Sequence, residues 1–318
     1  MQTINLAFVG SGNWAQRYHF PALAYIQSQN TAQYSINLRG ITSLDLDAAH
    51  MVADKFAFEQ VYSDTDALLA DPNVDALAIA VSPEAAKSVI SHIVDRQLPI
   101  FSEKPPGVSS IEAQTLSDIV TVPNVLAFNR RFNPLNKIFY NIVAEMENIT
   151  FIEGSFFRHN RLDDTFMIGT GIHWLNYIEY LFGSITKVNT QRWKNPKNDS
   201  WLRTASVTFK NDLNGFLKFF PCSGSDYERI TVHSNAQSAY LEGPLWTNPG
   251  RIIIDRGEEQ QTIEQPSPLP PEIVRLGIVG EYQAFFDLIT HGVPSPSTFQ
   301  NAVNSMRVAE AMELGRDL

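Results

Sequence analysis

Residues 6–23 read LAFVGSGNWAQRYHFPAL, an apolar run that breaks at two glycines before a longer mixed stretch. Gly10, Gly12 and Ala15 fall into the pattern G-x-G-x-x-A. Two physical readings compete for it. An ordinary tight turn uses glycine wherever the chain needs a positive φ. A backbone that approaches a phosphate asks for more. The first glycine makes the turn, the second brings the main chain to a pyrophosphate, and the small third residue lets helix and strand pack closely. The helix N-terminus then offers about half a positive charge to the anion.

The flanking pattern favours the second reading. Apolar spacing predicts strands at residues 4–10 (INLAFVG), 35–42 (SINLRGIT), 76–81 (ALAIAV) and 99–104 (PIFSEK), with a further strand at 124–131 (NVLAFNRR). Between them PALAYIQSQ, LDAAHMVADKF, TDALLAD and EAAKSVISHIVDRQ carry helix-compatible spacing. Such alternation implies crossover units and a parallel sheet covered on both faces. From residue 149 the rhythm changes to short, turn-separated strands: ITFIEGSFF, ITKVNTQRW, TASVTFK, NGFLKFF, RITVHS, SAYLEG and RIIIDR. One helix, GIHWLNYIEYLFG, interrupts them, and a proline-rich connector, EQPSPLPPE, leads to a helical tail. The expected fold is therefore α/β: a doubly wound parallel sheet over residues 1–124, then an α+β domain with a large, mostly antiparallel sheet over 125–318. At ~150 residues per domain, 318 residues suit two.

Composition narrows the class. A net charge of −10 argues against broad nucleic-acid binding, which needs a basic surface. No uninterrupted apolar run approaches the ~20 residues that span a bilayer. The single cysteine, Cys222, excludes an internal disulfide and a cysteine-based zinc site. The first residues lack a basic leader, and a cytoplasmic location is expected. The histidines show no metal-ligand spacing, so no metal is expected.

The second strand should end on a residue that touches the adenosine ribose, usually an acid when the cofactor is NAD. It ends GITSLDLD, which puts Ser43 at that position with Asp45 and Asp47 just beyond. A small hydroxyl leaves room for a 2′-phosphate, although no arginine follows to pair with it. The reading leans slightly to NADP within NAD(P). A shifted register would make Asp45 the ribose acid instead.

FSEKPPGVS, about ninety residues after the glycine turn, is the most specific stretch. Glu103-Lys104-Pro105 resembles the E-K-P signature of the Gfo/Idh/MocA oxidoreductases. VDALAIAVSPEAAKSVI is similar to that family's strand ending beside the nicotinamide ribose, here at Ser82 and Pro83. FNRRFNP resembles the segment leading into the second domain, and GIHWLNYIEYLFG the helix with the active-site histidine, here His173. The resemblance runs in order from residue 4 to about residue 183. It implies an NAD(P)-dependent dehydrogenase or reductase acting on a hydroxyl or ketone of a sugar, cyclitol or small polyol, assembled as a homodimer or homotetramer. Gly10, Gly12, Asn13, Trp14, Ala15, Ser43, Ser82, Pro83, Glu103 and Lys104 would hold the cofactor.

The chemistry of the residues agrees. Moving hydride from a carbinol carbon needs a group to accept the hydroxyl proton. A lysine desolvated beside an oxidised nicotinamide has its ammonium disfavoured and can do so, which makes Lys104 the first catalytic candidate. His173 is the second, able to hold or relay a proton near neutral pH. The family usually carries an aspartate one helical turn earlier; here that position is Gly169. Asp163 or Asp164 supplies the acid, or Lys104 carries the proton with His173 only binding, or catalysis has lapsed. Lapsed catalysis would leave a cofactor- or metabolite-sensing protein of the same fold. Arg158 and Arg161, in RHNR, can bind a substrate carboxylate or phosphate, or form a solvated strand edge. Trp174 and Tyr177 can face either substrate or core.

Overall fold

A computed structural model describes residues 2–29, 34–163, 165–246 and 248–318. Asp164, one of the two acids expected near His173, lies outside them. The protein has a mixed α/β fold. By contacts the chain divides into two compact units, one formed by the chain up to Phe128 with Ile278–Val303, the other by Asn129–Gly277 with Asn304–Leu318.

In the first unit the described strands are β1 (Gln2–Val9), β2 (Tyr34–Thr42), β3 (Ala76–Ile79), β4 (Ile100–Ser102) and β5 (Asn124–Leu126). They pair in parallel in the order β2-β1-β3-β4-β5. Helices α1 (Phe20–Ser28), α2 (Leu46–Phe56), α3 (Thr65–Ala70), α4 (Pro83–Ile93) and α5 (Ser110–Ile119) lie between them. All four residues of β3 are buried, as is the stretch from Leu6 to Val9 in β1, the mark of strands covered on both faces. Each large side chain so enclosed contributes about 1.5–3 kcal/mol. Three of the helices begin on side-chain caps: Asp45 accepts from Ala48 N–H, Asp64 from Ala67 N–H and Ser109 from Glu112 N–H. The order reverses direction between β1 and β3. In open parallel sheets that switch point, beyond the carboxyl ends of the strands, is where ligands sit.

Gly10 stands at this point with φ +109°, and its N–H donates to Thr42 O at 2.8 Å. A Cβ there would collide with the carbonyl oxygen of Ala80, just past β3. The first glycine is thus fixed by the sheet itself.

Two features of this unit differ from expectation. The strand expected over 124–131 ends at Leu126, and a 3₁₀ turn at Asn129–Arg131 follows. The reason is that those side chains are committed elsewhere: Asn129 donates to Leu276 O and Arg131 to Asn176 Oδ1. Residues 278–303, expected with the second domain, pack with the first unit, including α9 (Ile278–His291). The faces of Tyr282, Phe285 and Phe286, all 0% exposed, drive this, with Tyr282 stacked on Phe101 at 4.2 Å.

In the second unit β6 (Ile149–Phe157) and β7 to β13 form one sheet. The later strands are β7 (Ile185–Lys194), β8 (Trp201–Phe209), β9 (Asn214–Phe220), β10 (Tyr227–Ser234), β11 (Ser238–Glu242), β12 (Arg251–Arg256) and β13 (Glu259–Glu264). Their order is β13-β12-β11-β10-β6-β9-β8-β7, antiparallel except for the β6–β9 pair. In β9, Gly215, Leu217 and Phe219 are buried while Asn214 and Phe216 are exposed, the period-2 alternation of a sheet covered on one face. Helices α6 (Pro134–Ala144) and α7 (Ile172–Phe182) bring buried apolar residues to this unit. Helix α6 was not anticipated, although Asn133 caps it and Pro134 opens it. Nor was β13, whose sequence EQQTIE has no apolar alternation and suits a solvated sheet edge. The short α8 (Glu272–Arg275) and α10 (Phe299–Leu314) complete the described elements.

A charge triad sits inside the second unit. Glu228 on β10 pairs with Arg130 at 2.7 Å and with Arg158, whose guanidinium lies 3.7 Å from the centre of the Phe156 ring. Burial pushes the Glu228 carboxyl up, but the two arginines together outweigh it and hold the group below the usual carboxylate range.

Gly10→Ala should lower stability by about 2–4 kcal/mol, read from urea unfolding, because strain and collision coincide. An unchanged midpoint would contradict the geometry. Glu228→Gln should cost about 3–5 kcal/mol at neutral pH by leaving the buried Arg158 and the partly buried Arg130 guanidinium groups without their anion. Because the folded-state pKa is depressed, that contribution is fully present above the unfolded Glu value of about 4.3. It is lost as pH falls through the folded value, so wild type and Glu228→Gln should converge in acid. Parallel pH profiles would count against the triad.

Candidate active site

The carboxyl edge of the parallel sheet gathers most of the residues singled out from the sequence. Gly12 follows the turn with nothing within 4 Å of where a Cβ would stand, so the backbone there is open to a ligand. Asn13 is exposed, Trp14 is 41% exposed, and Ala15 is buried where the helix meets the strand. The helix winds irregularly near its start: Ala15–His19 is wound as a π-helix before α1. Ser43 follows β2 directly, and its hydroxyl accepts from Ser11 Oγ at 2.8 Å, tying the end of β2 to the glycine turn. Asp45 is occupied as the cap of α2, and Asp47 lies in that helix's first turn. Ser82 precedes α4 and Pro83 opens it; the Glu84 backbone N–H, and after it the Ser82 hydroxyl, hold the Glu84 carboxyl below its ordinary value. An open cradle at Gly12, a glycine-only turn at Gly10 and a hydroxyl at Ser43 fit a dinucleotide.

Glu103 and Lys104 follow β4. The Glu103 carboxylate accepts three N–H groups: Trp14 Nε1 and His19 Nε2 on Oε1, and the Lys104 backbone on Oε2, each at 2.9 Å. Burial pushes this carboxyl up, but the hydrogen bond from His19, with the Lys104 charge and backbone N–H, holds it below its ordinary value. Glu103 is therefore an anion pinned between the glycine-turn helix and the lysine. Lys104 is half-buried.

In the second unit a π-wound turn, Met167–Gly171, leads into α7. His173 sits in the first turn of α7 and is 8% exposed. Gly169 lies one turn before it. A Cβ built at Gly169 would stand 3.8 Å from Thr165 Oγ1 and 4.0 Å from Asp163 Oδ2. Arg161 holds that loop: its Nε donates to Asp163 Oδ1 at 3.0 Å and its terminal nitrogen to Thr170 Oγ1 at 2.9 Å. The carboxylate of Asp163 thus stands beside the place a side chain at position 169 would fill.

Three substrate candidates have structural employment. Trp174 and Tyr177 are 0% and 1% exposed, and the Tyr177 hydroxyl donates to Asn136 O at 2.8 Å. Both belong to the core of α7, because the helix buries its aromatic face. Arg158 is 3% exposed and committed to Glu228, which corrects its reading as an open anion site. Arg161 remains partly exposed.

Sequence reasoning missed His19, Tyr282 and Glu281. Tyr282 Oη bonds His19 Nδ1 at 3.0 Å. One ligand atom each from His19, Glu103 and Glu281 lie within 4.8 Å of one another. Glu103 Oε1 already takes two donors and both imidazole nitrogens are bonded, so the cluster is wired as a hydrogen-bond network. No short-range signal could have found it. A 3.6-residue period misplaces a side chain at the end of a π turn, and Tyr282 arrives from a helix far along the chain.

Comparison with known proteins agrees with this edge. An uncharacterized oxidoreductase of Schizosaccharomyces pombe is 29% identical over 136 residues, 42% of this chain and 36% of that protein. The match thus spans about a third of that relative's length. Levoglucosan dehydrogenase in complex with NADH and L-sorbose superposes with a TM-score of 0.86 at 16% identity, covering 100% of this chain and 99% of that one. UDP-N-acetylglucosamine 3-dehydrogenase from Acidithiobacillus ferrooxidans gives 0.81 at 16% identity, over 99% and 98%. Identity this low speaks for the fold alone. Residues 4–128 match the family model described as an oxidoreductase family with an NAD-binding Rossmann fold. Over those residues the chain is similar to the Gfo/Idh/MocA oxidoreductases.

Proposed function

We propose that the protein is an NAD(P)-dependent dehydrogenase acting on a CH–OH group of a sugar, cyclitol or related small polyol. The observation that carries the reading is the anchoring of Lys104 by the Glu103 carboxylate at the same sheet edge as the glycine turn. Gly10, Gly12, Asn13, Trp14, Ala15, Ser43, Ser82, Pro83, Glu103 and Lys104 would hold the dinucleotide. When bound, it supplies a two-electron hydride acceptor or donor. The chain's own work is to orient and to move a proton. In the oxidative direction the C–H bond breaks with its electron pair leaving as hydride, while the O–H proton passes to the Lys104 amine. Loss of both leaves the carbonyl. Reduction reverses each transfer. His173, in the second unit, is proposed to bind the substrate, with Asp163 as the acid in place of a side chain at Gly169 and Arg161 as an anion contact.

Ser43 supports NADPH binding at least as tight as NADH, because Asp45 is engaged in capping. The two sugar dehydrogenases that share the fold support the substrate class. No helix among the described residues is long and apolar enough to cross a membrane; a cytoplasmic location is part of the proposal. So is assembly with a second copy through the open sheet face, where Phe157 stacks on Phe220 at 4.5 Å and Phe216 is 37% exposed. The rival reading, a cofactor- or metabolite-sensing protein, rests on Gly169, and the Asp163 carboxylate beside that glycine weakens it.

Two experiments test this. Gly12→Val should weaken NAD(P)H binding by about 10²-fold or more in fluorescence titration, with the melting temperature unchanged. Unaltered affinity would contradict the cradle. A screen of polyols and keto-sugars with both cofactors should find turnover that Lys104→Ala removes by about 10³-fold while cofactor affinity stays within a few fold. Tight cofactor binding with no turnover on any substrate would favour the sensor, and turnover surviving Lys104→Ala would overturn the role of the lysine.

A further inference from the structure

The hydrogen-bond chain behind Glu103 begins in a helix more than 170 residues along the sequence. Tyr282 Oη lies 3.0 Å from His19 Nδ1, His19 Nε2 lies 2.9 Å from Glu103 Oε1, and Glu103 Oε2 accepts the Lys104 N–H at 2.9 Å. We propose that His19 and Tyr282 are positioning residues for Lys104, acting through Glu103. The inference rests on the reading of Lys104 as the proton carrier.

The geometry leaves the neutral imidazole one arrangement. Burial and the facing carboxylates Glu281 and Glu103 push the Tyr282 phenol far up, so its O–H is present to donate to Nδ1. Nε2 then carries the proton and donates to the carboxylate. Rotation is blocked as well. His19 is 0% exposed, with Phe101 edge-on at 5.8 Å, Tyr282 edge-on at 5.6 Å, and those two rings stacked on each other. The π-wound turn is what aims His19 inward: it closes at this residue before α1 resumes the ordinary pitch. Glu103, Glu281 and Tyr282 are the titratable groups facing His19, and Lys104 acts on Glu103 from the other side.

Consequences for Lys104 follow from charge. While His19 and Trp14 occupy Oε1, the Glu103 carboxylate is held at the backbone of Lys104 and its charge is shared among three donors. Without the imidazole, that carboxylate has one donor fewer and stabilises the nearest ammonium more strongly. Lys104 would then release its proton only at higher pH.

The test compares full-length wild type with His19→Gln, His19→Leu and Tyr282→Phe. Lys104 reactivity is read without substrate, by the pH dependence of its acylation with acetic anhydride, mapped by peptide mass. NADH affinity, kcat and KM on a substrate found by screening are read alongside. His19→Leu should move the onset of Lys104 acylation up by about one pH unit and lower kcat on the order of 10²-fold, with KM and NADH affinity within a few fold. His19→Gln, which keeps an N–H for Glu103, should restore most of both. Tyr282→Phe removes a single oxygen and should shift the profile the same way by less; it decides the matter should His19→Leu not fold. Wild-type acylation profiles and kcat in the folded variants overturn the inference, even if Lys104→Ala is inactive. Undiminished turnover in Lys104→Ala would instead remove the reading on which it rests, while the acylation shift would still report the wiring.

Discussion

The Glu103 carboxylate takes three N–H groups from two separate pieces of the chain: an indole and an imidazole from the glycine-turn helix, and the backbone of the next residue. A largely sheltered carboxylate with no partner would give up its charge, since isolated burial costs several kcal/mol. Here the donors outweigh burial and the anion persists. The consequence is mechanical as much as electrostatic. The helix that would face a pyrophosphate and the loop that carries the lysine cannot move independently without breaking charge-assisted bonds inside the unit. Tyr282 extends the same constraint to α9, which explains why a helix near the end of the chain packs with the first sheet.

A second anion does comparable work in the other unit. Glu228 holds Arg130 and Arg158 inside the fold, so one arginine of the RHNR stretch is structural while Arg161 stays at the surface. Arg161 in turn ties the Asp163 loop to Thr170. The Asp163 carboxylate therefore stands about where a side chain at Gly169 would begin, with its Oδ2 4.0 Å from that position.

What was legible in the sequence was local. The glycine turn, the parallel strands and the alternation of β6, β9 and β12 follow from period and from turn chemistry within a dozen residues. Ser43 was placed by counting from the strand end, and the Ser11–Ser43 bond agrees with that register. What escaped depended on distant partners or irregular winding. Trp174 and Tyr177 could not be assigned to core or ligand until α7 was seen to enclose them. Arg158 looked like an anion site because its partner, Glu228, lies 70 residues away. His19 escaped because it closes a π turn and its partners, Glu103 and Tyr282, lie 84 and 263 residues away.

The most direct test of the central claim is a crystal structure of the protein grown with NADH. The account predicts the pyrophosphate over Gly12, the adenosine ribose at Ser43, and the nicotinamide beside the Lys104 amine, with the three bonds to Glu103 intact. A nicotinamide ring remote from Lys104, or a Glu103 carboxylate turned away from His19 in the bound state, would contradict it.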